Sequence, residues 1–345
     1  MRAISLVAPG RVELVELAEP EPGPEDLLVE VAYVGLCGSD LNAYRGRSAL
    51  VSYPRILGHE VAGVVAAVGA KAGTRFREGA RVTLSPYSHC GGCPACRAGR
   101  TNACERNQTL GVQRDGALAE RIAIHHSRVH ASETLSLQAL ALVEPLSVGC
   151  HAVGRARVCD TDSVLVLGCG AVGLGAVAAA ARRGARVIAL DIEPAKLGLA
   201  ANLGAHDVVD ASAQDARARV QELTSGEGVN VAIEAAGAAA TYQLALSAVC
   251  TGGRLIAVGY AKDPLLLDTS LVVRKELDWL GSRNALDEFP DVIHMVEECE
   301  RPFLSLISRI VPLRETGEAL DHWASAPQEI TRILVAVSAP GGGRL

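Results

Sequence analysis

Large aromatic side chains are scarce in this chain: three Phe, two Trp and six Tyr among 345 residues. Ala, Val, Leu and Gly must fill the interior, which suits strands and helices that approach closely. A strong charge of one sign is also lacking. Thirty-three Lys and Arg stand against 39 Asp and Glu, a net charge of −6, and the pI is about 5.9. No broad basic face is available, which excludes nucleic acid as the expected partner. The short basic runs at 181–183 and 215–219 read as solvated helix faces. Residues 1–9 lack the apolar stretch of a signal peptide, and no internal repeat is visible. The nearest approach to a membrane span is 164–181, uncharged over 18 residues. It opens Val-Leu-Val-Leu and then holds Gly168, Gly170, Gly173 and Gly175, the pattern of a buried strand, a tight turn and a buried helix. The expectation is a soluble, cytoplasmic protein with no membrane partner. Its ten cysteines are then reduced thiols or metal ligands, not disulfides.

What is present is ordinary globular composition, 49% hydrophobic and 21% charged, in a chain long enough for two domains. Residues 1–150 read as short strands with frequent turns, among them 27–31, 61–69 and 79–84. From 163 to about 281 the texture changes. Apolar strands at 164–167, 186–190, 208–209, 231–233, 254–258 and 279–280 alternate with Ala-rich helical stretches. That pattern predicts a parallel sheet covered on both faces. From about 283 the chain returns to mixed structure and ends in a strand at 333–337. Residues 341–344, Gly-Gly-Gly-Arg, read as a loose terminus.

Two motifs carry chemistry by their spacing. Gly168-Cys169-Gly170-Ala171-Val172-Gly173 matches G-x-G-x-x-G, with a strand before it and a helix after it. The first Gly permits the turn, the second lets a pyrophosphate approach the backbone, and the third lets helix and strand pack closely. Asp191 ends the next strand. A carboxylate there accepts hydrogen bonds from ribose hydroxyls and repels a 2′-phosphate, which favours NAD over NADP. Cys90, Cys93, Cys96 and Cys104 form C-x2-C-x2-C-x7-C. Four thiolates with no open position predict a closed structural zinc site; thiolate spacing alone also admits an iron–sulfur cluster. A second set is dispersed: Cys37 in Gly-Leu-Cys-Gly-Ser-Asp, His59 and Glu60 in Gly-His-Glu, and Glu144 in Val-Glu-Pro-Leu. One sulfur, one nitrogen and carboxylate oxygens suit a zinc with a position left open, although spacing does not show that they meet.

Taken together, these segments resemble the zinc-containing medium-chain dehydrogenases/reductases over nearly the whole chain. The likeness is nearest to the polyol branch, of sorbitol dehydrogenase and L-galactonate or L-idonate 5-dehydrogenases. It is carried by 52–60, by 93–102 and by Gly281-Ser282-Arg283-Asn284-Ala285. The resemblance implies an α/β architecture. A GroES-like β-barrel catalytic domain over 1–150, bearing the structural zinc lobe and completed by 283–345, is joined to a doubly wound Rossmann domain over 151–282. It implies two zincs per chain, one catalytic and one structural, with NAD as cofactor. Cys37 and His59 would ligate the catalytic zinc, with Glu60 or Glu144, or both in turn, as carboxylate. Asp40 would orient His59, Ser39 would take the substrate proton, and Lys196 would contact the adenosine ribose. The expected partners are a small-molecule alcohol and further copies of the chain, in a dimer or tetramer. Three positions depart from the family: Asn42 where a relay histidine is common, and Leu118 and Arg121 where an aromatic pair is usual. The rival readings are a zinc-independent quinone or enoyl reductase of the same superfamily, a non-catalytic NAD-sensing Rossmann protein, and a zinc-lobe interaction module.

Overall fold

The structure, a computed structural model, describes residues 1–261 and 264–338; the Gly-rich end at 341–344 lies outside them. The chain divides into two units, Met1–Glu144 with Phe289–Leu345, and Pro145–Glu288. The first division falls inside the helix Val143–Arg155, ahead of the change in texture. Most of this helix belongs to the second unit, where Arg183 Nη1 donates to the Val153 carbonyl at 3.2 Å.

The second unit is built on a six-stranded sheet. Its order is Asp207–Asp210, Arg186–Asp191, Ser163–Leu167, Val229–Glu234, Val249–Ala257 and Asp278–Gly281, and every pairing is parallel. Each expected strand is present. Val164, Leu165, Val166 and Leu167 are fully buried, as apolar runs covered on both faces should be. The first strand of the unit lies beside the fourth, so the direction of winding reverses between them. In open α/β sheets that crevice, beyond the carboxyl ends of the strands, is where ligands bind. The uncharged run at 164–181 resolves into this strand, a turn and the helix Ala171–Arg182. Among the described residues no helix is long and apolar enough to cross a membrane.

The first unit holds a seven-stranded sheet, ordered Ile307–Pro312, Arg332–Ala336, Asp26–Leu36, Glu60–Val68, Arg81–Leu84 and Val129–Ala131, with Arg121–His125 also paired to Asp26–Leu36. A smaller sheet of Arg11–Glu16, Arg2–Ala8 and Arg55–Ile56 packs on it. Ile4 and Leu6 of the smaller sheet share one core with Leu27, Val29, Val61, Val65 and Val335 of the larger. The hairpin Arg2–Glu16 stands outside the expected strands. Ala3, Ile4, Ser5 and Leu6 are all buried, so the first strand lacks the alternation that marks a half-buried strand. Register then assembles the site. Gly35 lies opposite Glu60, and Leu36 lies opposite Ile333, next to Arg332. Three distant segments thus meet at one end of the sheet.

Candidate active site

Cys37 follows the strand Asp26–Leu36 and is the N-cap of the short helix Gly38–Tyr44. The Asp40 carboxylate reaches back to accept the Cys37 backbone N–H at 2.8 Å, which fixes the turn that aims the thiol. His59 immediately precedes the neighbouring strand Glu60–Val68, which Glu60 opens, and both are buried. One donor atom each from Cys37, His59 and Glu60 lie within 4.8 Å of one another, the grouping a metal ion needs. Buried polar atoms beside it await partners. His59 Nδ1 and Asp40 Oδ1 each lack a hydrogen bond, as does Glu60 Oε2. The first two are 3.9 Å apart, so a small shift lets Asp40 orient the ring while its other nitrogen serves the cluster.

The electrostatics fit a cation at this position. Burial by itself pushes the Cys37 thiol up, but the hydrogen bond and charge of His59, with the Arg332 guanidinium, bring it down to about 7. His59 loses basicity through burial, yet Asp40 and Cys37 hold it well above the ordinary imidazole value. Burial raises Glu60, against the pull of Arg332. Arg332 is itself buried. Its Nη1 donates to Glu60 Oε1 and to the Leu36 carbonyl, both at 2.7 Å. Glu60 Oε2 occupies the space left by Gly35, where a Cβ would sit 2.2 Å from that oxygen.

Glu144 stands apart from the three-residue group. It is buried, and its Oε1 accepts the Tyr87 hydroxyl. Burial first and then the Glu144 charge push Tyr87 well above the usual phenol range, so it keeps its proton and donates. Ser39 is exposed in the first turn of its helix, and Asn42 is half-buried one turn on. Tyr87 and Arg332 were not among the expected site residues. The only sequence signal for Arg332 is a charge at the head of an apolar strand.

The four cysteines form a second group within 4.8 Å. Sulfur separations are 3.4 Å for Cys93–Cys96, 3.6 Å for Cys90–Cys104 and 3.9 Å for Cys93–Cys104. A zinc with bonds of about 2.3 Å sets tetrahedral sulfurs about 3.8 Å apart. Backbone N–H groups of Cys90 and Arg106 donate to Cys104 Sγ, both at 3.3 Å, as suits a thiolate. The cysteines therefore fit a closed tetrahedral metal site.

In the second unit, Gly168 follows the strand Ser163–Leu167 with φ at +96°, and a Cβ on Gly173 would sit 1.8 Å from the Gly168 carbonyl oxygen. The turn therefore needs glycine at both places. A Cβ on Gly170 would meet nothing within 4 Å, which leaves open space at the N-cap of Ala171–Arg182, where a pyrophosphate approaches. Asp191 is held in place by three backbone donors: Cys169 at 2.6 Å on Oδ2, and Ile192 at 2.8 Å and Glu193 at 3.0 Å on Oδ1. Lys196 is half-buried on the following helix, Pro194–Asn202.

The chain is similar to known proteins over most of its length. Residues 23–134 match the family model described as the alcohol dehydrogenase GroES-like domain, and residues 171–298 match that of the zinc-binding dehydrogenases. The chain is 34% identical to sorbitol dehydrogenase of Bacillus subtilis, over 97% of each chain. It is 35% identical to L-galactonate-5-dehydrogenase of Escherichia coli, over 78% of this chain and 79% of that one. A solved structure from Sinorhizobium meliloti 1021, with NADP bound, superposes with a TM-score of 0.88 at 31% identity, covering 97% of this chain and 99% of that chain.

Proposed function

The chain belongs to the zinc-binding alcohol dehydrogenases with a GroES-like domain, and within that family we propose that it takes a hydride from a secondary alcohol of a polyol or sugar acid, with NAD as the preferred acceptor. The observation that carries this reading is the meeting of Cys37, His59 and Glu60 at one point. Three mixed donors leave a fourth position open, the arrangement of a catalytic zinc rather than a structural one. Zinc supplies the Lewis acidity that lets an alcohol lose its proton near neutral pH, and the nicotinamide supplies the hydride acceptor.

The chain's own residues do the rest. Cys37, His59 and Glu60 hold the metal, and Asp40 fixes the His59 ring. Ser39 Oγ receives the substrate proton from its exposed place beside Cys37; with Asn42 in the next turn, water or a ribose hydroxyl takes that proton onward. The cysteine lobe holds a second zinc, and the glycine turn and Asp191 hold the dinucleotide. Relatives named for sorbitol and L-galactonate support a polyhydroxylated substrate. A site built to bond several hydroxyls rejects an alcohol that lacks them, because its polar groups are then left unpaired. With NAD and a panel of sugar alcohols and aldonates, at least one should exceed ethanol in kcat/KM by on the order of 100-fold or more. NADH fluorescence reads the outcome directly, and faster turnover of ethanol than of every panel member would end the substrate assignment.

The coenzyme preference rests on Asp191. Its carboxylate is locked by three backbone donors, so the one lone pair left on Oδ2 is preset for a ribose hydroxyl and against a phosphate. Asp191→Ala should weaken NAD binding by about 10- to 100-fold, the worth of a hydrogen bond to a charged group, and narrow the gap to NADP. Wild-type protein that turns over faster with NADP than with NAD would overturn this assignment.

A further inference from the structure

Glu234 ends the strand Val229–Glu234, at the carboxyl edge of the sheet where the winding reverses. Its side chain is fully buried, an unusual place for a carboxylate. The contacts of one oxygen explain it. Oε1 accepts the backbone N–H of Ala236 at 3.0 Å and of Gly237 at 2.8 Å, and the Thr241 hydroxyl reaches it at 2.8 Å. The carboxylate thus holds the chain that leaves the strand and ties it to the helix Ala239–Ala248. The Glu234 backbone carbonyl takes the N–H groups of Val258 and Gly259, both at 2.9 Å, which draws in the segment after the neighbouring strand Val249–Ala257. Oε2 fills the space that Gly259 leaves, where a Cβ would sit 2.7 Å from that oxygen.

The segment so fixed touches the dinucleotide turn. Ala235 donates its N–H to the Leu167 carbonyl at 2.9 Å. Ala236 packs against Gly168, where a Cβ would lie 2.9 Å from the Ala236 backbone nitrogen. Ala236 and Ala238 are nonetheless exposed, so the segment offers backbone and little side chain to the crevice. A dinucleotide spans such a crevice with one mononucleotide on each side. Asp191 belongs to the adenosine side, which leaves the segment after Glu234 to the nicotinamide side.

We propose that Glu234 is a positioning residue that presets the segment 235–238 for the nicotinamide half of the coenzyme. The proposal rests on the reading of the glycine turn and Asp191 as the dinucleotide site. Glu234 acts through the segment, since its own side chain is buried beneath it. A carboxylate suits the task, being an acceptor on which several donors converge. An apolar side chain of the same size would leave the N–H groups of Ala236 and Gly237 to find other partners.

Binding of NADH and of ADP to the purified protein tests this without turnover. ADP occupies the adenosine side alone. Glu234→Met keeps the length of the side chain and removes the acceptor. A segment that then holds its binding arrangement about one-tenth of the time raises the Kd for NADH about 10-fold, while the Kd for ADP should stay within about twofold of wild type. Thr241→Val removes one donor at a half-buried position, and should weaken NADH binding by about threefold, again sparing ADP. This milder variant decides the question if Glu234→Met does not fold. Equal losses for NADH and ADP would show general damage to the unit and overturn the proposal. So would unchanged NADH binding in either variant. Wild-type protein that binds neither NADH nor ADP would end the dinucleotide reading itself, and the proposal with it, a result seen before any variant is made.

Discussion

Replacing Cys37 by serine is expected to remove turnover and leave the fold standing. A serine hydroxyl does not ionise near neutral pH and is a poor zinc ligand, so the site loses its softest donor and half of the charge that neutralises the ion. Without the Lewis acid the alcohol proton is no longer acidic enough to leave. The loss should be at least about 10³-fold in kcat/KM, on the order of 4 kcal/mol of transition-state stabilisation. Stability should hardly change, for a local reason. Cys37 caps the helix Gly38–Tyr44, and serine is among the preferred residues at that position. Asp40 can still accept the backbone N–H of residue 37. Steady-state rates beside a thermal melt check both halves. A variant that keeps more than a tenth of wild-type activity would remove Cys37 from the metal set.

The same substitution at Cys96 should have the opposite profile, with the main loss in stability. Between residues 85 and 111 the buried apolar side chains are Pro86, Cys93, Cys104 and Leu110. A segment that long cannot order itself on so small a core, so the metal supplies what packing does not. Removing one of four thiolates should cost on the order of 5 kcal/mol, read as a melting temperature lower by roughly 10 °C, together with reduced yield. Opening of the lobe should also be visible chemically. Arg97, Arg100 and Arg106 are exposed and should become fast sites for trypsin in Cys96→Ser while resisting in the wild type. Equal melting temperatures and equal tryptic patterns would show that the lobe does not depend on a metal.

The contrast between these two sites follows what was legible in the amino-acid order. The four cysteines lie within fifteen positions, and local spacing brings them together whatever the rest of the chain does. The glycine turn is equally local: Gly168 and Gly173 are required by contacts within one strand–turn–helix unit. The central strands Ser163–Leu167, Arg186–Asp191 and Val229–Glu234 were readable as apolar runs buried on both faces, and the half-buried edge strands Asp207–Asp210 and Asp278–Gly281 from their place in the alternation with helices. The catalytic set is different in kind. Cys37, His59 and Glu60 were recognisable through family resemblance, but their meeting depends on the register of two antiparallel strands. Which carboxylate joins them depends on contacts across still longer separations. Tyr87 and Glu144 are 57 positions apart, and Arg332 and Glu60 are 272 apart. No periodicity or spacing encodes such pairs. Arg332 reaches Glu60 only because the strand Arg332–Ala336 is laid beside the strand Asp26–Leu36.

Zinc counting on purified protein tests the central claim most directly. Wild-type protein should carry two zincs per chain and Cys37→Ser one, the metal lost being the one on which NADH formation from a polyol depends. A fully active wild-type protein with one zinc or none would contradict the account.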